Sequence, residues 1–134
     1  MKSSVEIKVR GYHLDLYGHV NNARYLEFLE EARWAAFEDR FDLKEWQQRG
    51  LSFFVVNINI SYRRPATLGE LLEVRTRLSH IGNKSGVLRQ EIVLKGTDTA
   101  VTDADVTFVI ADARTGKAIP LEGKLRSEFE DILS

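Results

Sequence analysis

The 134-residue chain contains no cysteine. Disulfides, cysteine-based zinc sites and a thiol nucleophile are therefore excluded. It also lacks an excess of either charge: 19 Lys and Arg stand against 20 Asp and Glu, for a formal net charge of −1 and an isoelectric point near 6.3. Nothing global draws it to nucleic acid or to an acidic membrane surface. No window approaches the roughly 18 apolar residues of a spanning helix. The first ten residues hold no apolar run of signal-peptide length. The expectation is a cytoplasmic protein with no nucleic-acid partner and no integral membrane association. Several motifs are missing too. Without G-x-S-x-G there is no serine-hydrolase elbow of the α/β type. There is no H-E-x-x-H, and the three histidines lack metal-ligand spacing, so no metal is expected. G-x-G-x-x-G and the Walker A motif are absent, and no cofactor is expected.

What the chain does have is regular patterning. Its hydrophobic fraction of 43% suits a packed core, and its length predicts one domain over residues 1–134. Val5, Ile7 and Val9 alternate with Glu6, Lys8 and Arg10, the period of a half-buried strand. From Asn22 to about Arg40 the period changes, and Tyr25, Phe28, Leu29, Ala32 and Ala36 form one helical stripe. Asn21 is the predicted N-cap. Asp42 is placed to cap a short helix over 43–49, with Gly50 as its stop. A long strand follows, closed by Pro65. Val56, Ile58, Ile60 and Tyr62 are expected on one face, with Asn57, Asn59 and Ser61 on the other. That polar but uncharged second face suits either solvent or a subunit contact.

Three further strands alternate through Leu72–Leu78, Leu88–Leu94 and Ala104–Ile110. Pro120 is expected to open a C-terminal helix with Leu121, Leu125, Phe129 and Ile132 on one face. Short connections make neighbouring strands antiparallel. The fold class is therefore α+β: about five antiparallel strands in a curved sheet around one long helix. The outer face and edges of such a sheet invite self-association.

The chemistry concentrates between Tyr12 and Tyr25. Asp15 is the only acid between Glu6 and Glu27, and it stands just before Gly18 and the start of the long helix. Helix-start N–H groups are unpaired and carry partial positive charge, so they can hold a developing oxyanion. A carboxylate aimed at the same point can attack a carbonyl or activate water. Gly18 would let the backbone approach a substrate closely. The same pattern also fits Asp15 as a turn or capping residue and His19 as a packed or surface histidine.

Asp15-Leu-Tyr-Gly-His-Val-Asn-Asn-Ala-Arg-Tyr25, followed by Glu30 and Arg33, resembles the signature of hotdog-fold acyl-CoA thioesterases of the 4-hydroxybenzoyl-CoA thioesterase-like family. The likeness extends through Tyr25-Leu-Glu-Phe-Leu-Glu-Glu-Ala-Arg-Trp34, Asn57-Ile-Asn-Ile-Ser-Tyr-Arg-Arg-Pro-Ala66 and Lys84-Ser-Gly86, and is strongest to the bacterial long-chain acyl-CoA branch. It implies a hotdog fold and a homo-oligomer of dimers, often paired into tetramers, with active sites at the dimer interface. It implies Asp15 as general base or nucleophile at the thioester carbonyl and the backbone amide of Asn22 as oxyanion donor. Gly18 and His19 would line the approach, although the family more often has an apolar residue where His19 stands. Arg63, Arg64, Lys84 and Ser85 fall where the family contacts coenzyme A, often across the interface. Tyr25 and Glu30 complete the substrate-binding set, and Glu30 and Arg33 suit either a buried ion pair within the helix or a catalytic role. Tyr12, Phe28, Phe53 and Phe54 are candidate walls for an acyl tunnel. Two other readings share the fold: a non-catalytic acyl-CoA binder, which would not need Asp15, and a dehydratase or isomerase using His13 or His19.

Overall fold

The computed structural model describes residues 2–133. In chain order the elements are β1 (Lys2–Lys8), a 3-10 turn (Gly11–His13), α1 (Asn22–Arg40), α2 (Leu43–Gln48), β2 (Leu51–Tyr62), β3 (Leu71–Ile81), β4 (Ser85–Leu94), β5 (Ala100–Asp112) and α3 (Gly123–Glu130). The strands form one sheet in the order β1-β3-β4-β5-β2, with every pairing antiparallel. One face of that sheet packs on α1, the hotdog plan that the resemblance implies.

The caps explain where the helices begin. Asn21 accepts a hydrogen bond on Oδ1 from the Ala23 N–H at 2.9 Å and starts α1. Asp42 Oδ1 does the same for Lys44 and Glu45, each at 3.1 Å, and starts α2. The predicted stripe of α1 is buried in full, joined by Arg33 and Phe37. Beneath it lie Leu72, Val74 and Leu78 of β3, Leu88 and Ile92 of β4, and Ala104, Val106, Phe108 and Ile110 of β5. Among the described residues, Thr76, Thr102 and Gln90 are the buried polar ones of this layer, the largest being Gln90. Its Nε2 donates to the Leu29 carbonyl at 3.0 Å and to Thr76 Oγ1 at 2.9 Å, so its burial leaves those donors satisfied.

Three details differ from expectation. A bulge in β2 between Val55 and Asn57 leaves Val56 without a partner on β5 and turns it outward, 57% exposed, while Val55 points inward. Val56 therefore does not share the face of Ile58 and Ile60; one extra residue reverses the alternation. A register shift between Ile92 and Val93 likewise buries Val93 and leaves Leu94 half-buried. The last helix begins at Gly123 rather than at Pro120. The Leu121 N–H is spent on the Asn83 carbonyl at 2.7 Å, and Gly123 has φ +59°, so residues 120–122 run across the β3–β4 hairpin before the helix starts. Leu121, Leu125 and Phe129 are buried as expected.

Outside the core stripe, α1 still carries Leu26 and Trp34 at the surface, and β2 exposes Phe54, Val56 and Tyr62. β2 is also an edge of the sheet. The helix and the edge thus leave apolar side chains partly uncovered in one chain.

Close packing gives a test. Gly86 sits opposite Phe108 in the β4–β5 ladder, and a Cβ built on it would lie 2.5 Å from Phe108 Cζ. That ring is fully buried and is stacked on Phe53 at 4.7 Å, so it has nowhere to go. Gly86→Ala is expected to destabilise the protein by about 1–3 kcal/mol through overpacking, measured by urea unfolding; an unchanged midpoint would contradict this packing.

Candidate active site

Residues 14–20 form a closed loop between the 3-10 turn and α1. Leu14 and Val20 pair across its neck, the Asp15 N–H donates to the His19 carbonyl at 2.8 Å, and the Gly18 N–H donates to the Asp15 carbonyl at 3.1 Å. Gly18 has φ +75°, which this turn requires and a larger residue resists. Asp15 Oδ1 accepts from the Tyr17 N–H at 2.9 Å and from the His19 N–H at 3.3 Å. The turn role expected for Asp15 is thus present, but it occupies one oxygen. Oδ2 has no partner among the described residues, and the carboxylate stands at the surface.

The helix start beside this loop leaves one donor unused. Asn21 satisfies the Ala23 N–H with its side chain and the Arg24 N–H with its carbonyl at 2.8 Å, while the Asn22 N–H finds no acceptor among the described residues. The Asn22 side chain is exposed. Its carbonyl receives a long hydrogen bond from Tyr62 Oη, 3.4 Å away.

A second segment, 62–70, holds the loop in place. The Val20 N–H donates to the Ala66 carbonyl at 2.9 Å, and His19 pairs with Thr67. Tyr25 is buried, and its Oη accepts from the Ala66 N–H at 3.0 Å; burial raises its pKa. Tyr25 therefore acts here as a tie between helix and strand end. The His19 ring is exposed and has no hydrogen-bond partner among the described residues. Arg64 grips Glu70 with both terminal nitrogens, at 3.0 and 3.3 Å, and Glu70 also receives the Thr67 N–H at 2.7 Å. The Arg64 contact holds the Glu70 carboxyl below its ordinary range. Arg63 makes a similar fork to Asp103, with its Nε 2.8 Å from one oxygen, which depresses the Asp103 pKa. Both guanidinium groups are already committed to carboxylates of the same chain.

Asp15, Gly18, His19, Asn22, Tyr25, Arg63 and Arg64 are thus gathered at the C-terminal end of β2. Lys84 and Ser85 are not. Ser85 is in register with Val109, which is in register with Phe54 near the start of β2. From Phe54 to Tyr62 is about 26 Å at ~3.3 Å per residue. The Lys84 side chain is exposed and has no ion pair, and the N–H groups of Asn83 and Lys84 have no acceptor among the described residues. This hairpin is held from behind by Arg126, whose Nη1 donates to the Gly82 carbonyl at 3.2 Å.

Glu30 lies two turns beyond Asn22 on α1, about 12 Å along the axis. The expected ion pair with Arg33 is not made. Glu30 is exposed, while Arg33, 7% exposed, turns beneath the helix and donates from Nη1 to Gln90 Oε1 at 3.2 Å. A helical spacing of three does not pair two side chains that point to different depths. Both residues line a groove of about 770 Å³ between α1, α2 and β2, with Trp34, Phe37, Trp46 and Phe53 among its walls. Phe54 lines it as well; Tyr12 and Phe28 do not.

Among the described residues, no group of three or more His, Asp or Glu side chains is close enough to share a metal ion, and no helix is long and apolar enough to cross a membrane. One residue of the site region, considered from the sequence only for dehydratase or isomerase chemistry, has a structural place here. His13 is buried, its Nδ1 accepts from the Arg10 N–H at 2.8 Å, and its carbonyl accepts from the Asn21 N–H at 2.9 Å. It therefore anchors the helix cap.

Residues 9–129 match the family model described as the thioesterase-like superfamily. The chain is similar to the long-chain acyl-CoA thioesterase FadM of Escherichia coli: 52% identical over 128 residues, which span 96% of this chain and 97% of that protein. It is 29% identical over 125 residues to the acyl-CoA thioester hydrolase YbgC of Escherichia coli, covering 91% of this chain and 92% of that one. Among solved structures, the probable thioesterase YbaW from Escherichia coli superposes with a TM-score of 0.92 at 50% identity, covering 98% of this chain and 99% of the other.

The His13 anchor predicts a pH dependence. Burial first, then the charges of Arg24 and Arg10, lower its pKa below the ordinary 6.5. The unfolded chain then binds the extra proton more readily, so stability is complete above about pH 6.5 and declines as pH falls toward the folded pKa. In His13→Gln this acid-side slope is expected to flatten, as read from urea midpoints between about pH 6.5 and 5; an unaltered slope would show that another group carries it.

Proposed function

The chain belongs to the thioesterase-like superfamily, and on that premise we propose that it hydrolyses acyl-CoA thioesters to the free acid and CoA, with long acyl chains preferred. The observation that carries this is that two groups near one end of β2, the Oδ2 of Asp15 and the N–H of Asn22, have no partner among the described residues. Asp15 Oδ1 is tied into its loop by two backbone donors, so the carboxylate is oriented before substrate arrives. Oδ2 either takes a proton from water as that water attacks the thioester carbon, or attacks the carbon itself. In both cases a C–O bond forms, negative charge gathers on the former carbonyl oxygen, and the C–S bond breaks to release the CoA thiolate. After direct attack the acyl group is left on Asp15 as an anhydride, which water then cleaves to the free acid, restoring the carboxylate. The Asn22 N–H, at the positive end of a 19-residue helix, is a ready donor to that oxygen.

The same reading assigns the CoA grip to the second subunit of a dimer. Lys84 and Ser85 stand at the far end of β2 from Asp15. If two copies of β2 pair antiparallel along their free edges, the start of one strand meets the end of the other. The Lys84 ammonium and the free Asn83 and Lys84 N–H groups of one copy then approach Asp15 of its partner, where they suit phosphate. Leu26, Trp34, Phe54 and Val56, exposed in one chain, are covered in such a pair. The groove behind Phe53 and Phe54 is the proposed berth of the acyl chain. A further pairing of dimers into tetramers, and a long-chain preference, rest on the likeness to FadM.

Two experiments test these assignments. Asp15→Asn preserves an oxygen for the Tyr17 and His19 donors, so the loop is expected to hold while kcat falls by about 10²–10⁴-fold, followed as free-thiol release from long-chain acyl-CoA. A normally active variant would remove Asp15 from the mechanism. Lys84→Glu is expected to raise KM far more than it lowers kcat. Mixing Asp15→Asn and Lys84→Glu chains should restore activity at low substrate, because one site of each mixed dimer then receives both native residues. No restoration on subunit exchange would argue for a site contained in one chain.

A further inference from the structure

The groove between α1, α2 and β2 follows the two elements that meet at the candidate site. Along α1 it extends from Glu30 to Phe37, and along β2 from Ile58 back to Leu51. Its far end is where α1 stops at Arg40 and β2 starts at Leu51, and the segment joining them contains α2. The connection itself therefore lies across that end. α2 turns Leu43, Trp46 and Gln47, one face at helical spacing, to the groove. Trp46 fills the end, with 6% of its surface exposed.

The indole is held on two sides. The rings of Phe41 and Phe129 lie against it, at 4.8 and 5.8 Å between centroids. At its edge, Nε1 donates to Glu128 Oε2 of α3 at 3.3 Å. The other oxygen of Glu128 accepts from Arg49 Nη1 at 2.8 Å, and the same nitrogen lies 3.4 Å from Glu45 of α2. Glu128 thereby fixes the Trp46 side chain and the end of α2 together. Phe37 and Phe53 also line the groove, but they belong to a closed ring of contacts with Phe108, Phe129 and Phe41. Phe108 and Phe129 are fully buried, so no path continues behind that ring. Trp46 is not a member of the ring, and truncating it opens space without breaking the ring.

The other lining groups do not compete for this place. Glu30 and Arg33 lie midway. The charge of Glu30 raises the Arg33 pKa that burial lowers, and Arg33 is turned to Gln90. Gln47 and Ser52 stand at the far end, so an alkyl chain pushed past the indole would meet polar groups. In the proposed dimer the partner covers Leu26, Trp34 and Phe54. It roofs the channel along its side and leaves α2 as the end. From Asn22 to Phe37 is about 22 Å along α1 at ~1.5 Å per residue. An extended alkyl chain, with bonds of about 1.52 Å and angles of about 111°, advances about 1.25 Å per bond. A chain whose first carbon is held at the Asn22 N–H therefore reaches the level of Phe37 and Trp46 at about 18 carbons. We propose that Trp46 is the end stop for the acyl chain and that Glu128 positions it, an assignment that rests on the hydrolytic reading.

The test compares kcat/KM for octanoyl-, palmitoyl-, stearoyl-, eicosanoyl- and docosanoyl-CoA, each kept below its micelle concentration and read as free-thiol release. Wild type is expected to rise toward stearoyl-CoA and fall beyond it. In Trp46→Leu the optimum is expected to move to longer chains. The ratio of eicosanoyl- to octanoyl-CoA activity should rise about tenfold, the scale of about two more buried methylenes. Glu128→Ala lies off the groove lining and is expected to raise the same ratio by freeing the indole. A generally weakened fold would lower all lengths together and leave the ratio alone. If Trp46→Leu does not fold, Trp46→Phe is measured in its place, and a raised ratio supports the stop. The stop is overturned if the Trp46 variant keeps the wild-type ratio, or if wild-type activity still climbs at docosanoyl-CoA. An unmoved ratio in Glu128→Ala overturns the positioning role. A wild type that hydrolyses none of the thioesters overturns the hydrolytic reading, and the stop with it; a wild type that hydrolyses them with an unmoved ratio in the variants overturns the stop alone.

Discussion

The site depends on how Ala66 is held. This residue is fully buried, and both of its backbone polar groups are spent on the region around the start of α1: its carbonyl accepts from the Val20 N–H, and its N–H donates to Tyr25 Oη. Two bonds from one peptide neighbourhood thereby fix the last residue of the Asp15 loop and the first buried residue of the helix against the end of β2. Backbone groups buried this way must be paired, so the arrangement has little freedom to slide. The Arg64–Glu70 fork closes the same segment from outside. Asp15 and Asn22 need only short links to this clamp to have a defined separation. That is what a reaction with an oriented carboxylate and a preset oxyanion donor requires.

Much of the fold was legible because single residues decide it locally. Asn21 and Asp42 begin their helices as side-chain acceptors do, and strict alternation in β3 and β5 named the buried face correctly. The failures have a common cause. Val56 and Val93 sit in apolar pairs, where either neighbour could face the core; the choice falls to a bulge that depends on the partner strand. The late start of α3 depends on a hydrogen bond to Asn83, far away in sequence. Periodicity sees one strand at a time and cannot register such partners.

The site divides in the same way. The grouping of Asp15, Gly18 and Asn22 was legible because they are close in sequence. The distance between that group and Lys84 was not, since it follows from the sheet order β1-β3-β4-β5-β2 and its register. Arg33 was legible only as half of an ion pair with Glu30 or as a catalytic group. A charged residue on the buried side of a helix breaks no sequence rule, and its true acceptor, Gln90, is 57 positions away. Gln90 itself looked like one more inward position of β4. Together with Thr76 they make a short polar seam beneath the helix, in a layer that periodicity counts as apolar.

The two borders of the sheet are unlike. β1 bears Lys2, Ser3, Ser4 and Lys8 along its length, and Glu6 is bound to Lys95, a border that lysines make a poor template for another strand. β2 offers Phe54 and a bulge at Val56 instead. A sheet with one guarded border can be extended once and no further. In the proposed dimer, pairing along β2 would therefore close at two copies, through a two-fold contact, and not grow into an open fibre. The lysines of β1 would thus limit association from the border farthest from the proposed contact.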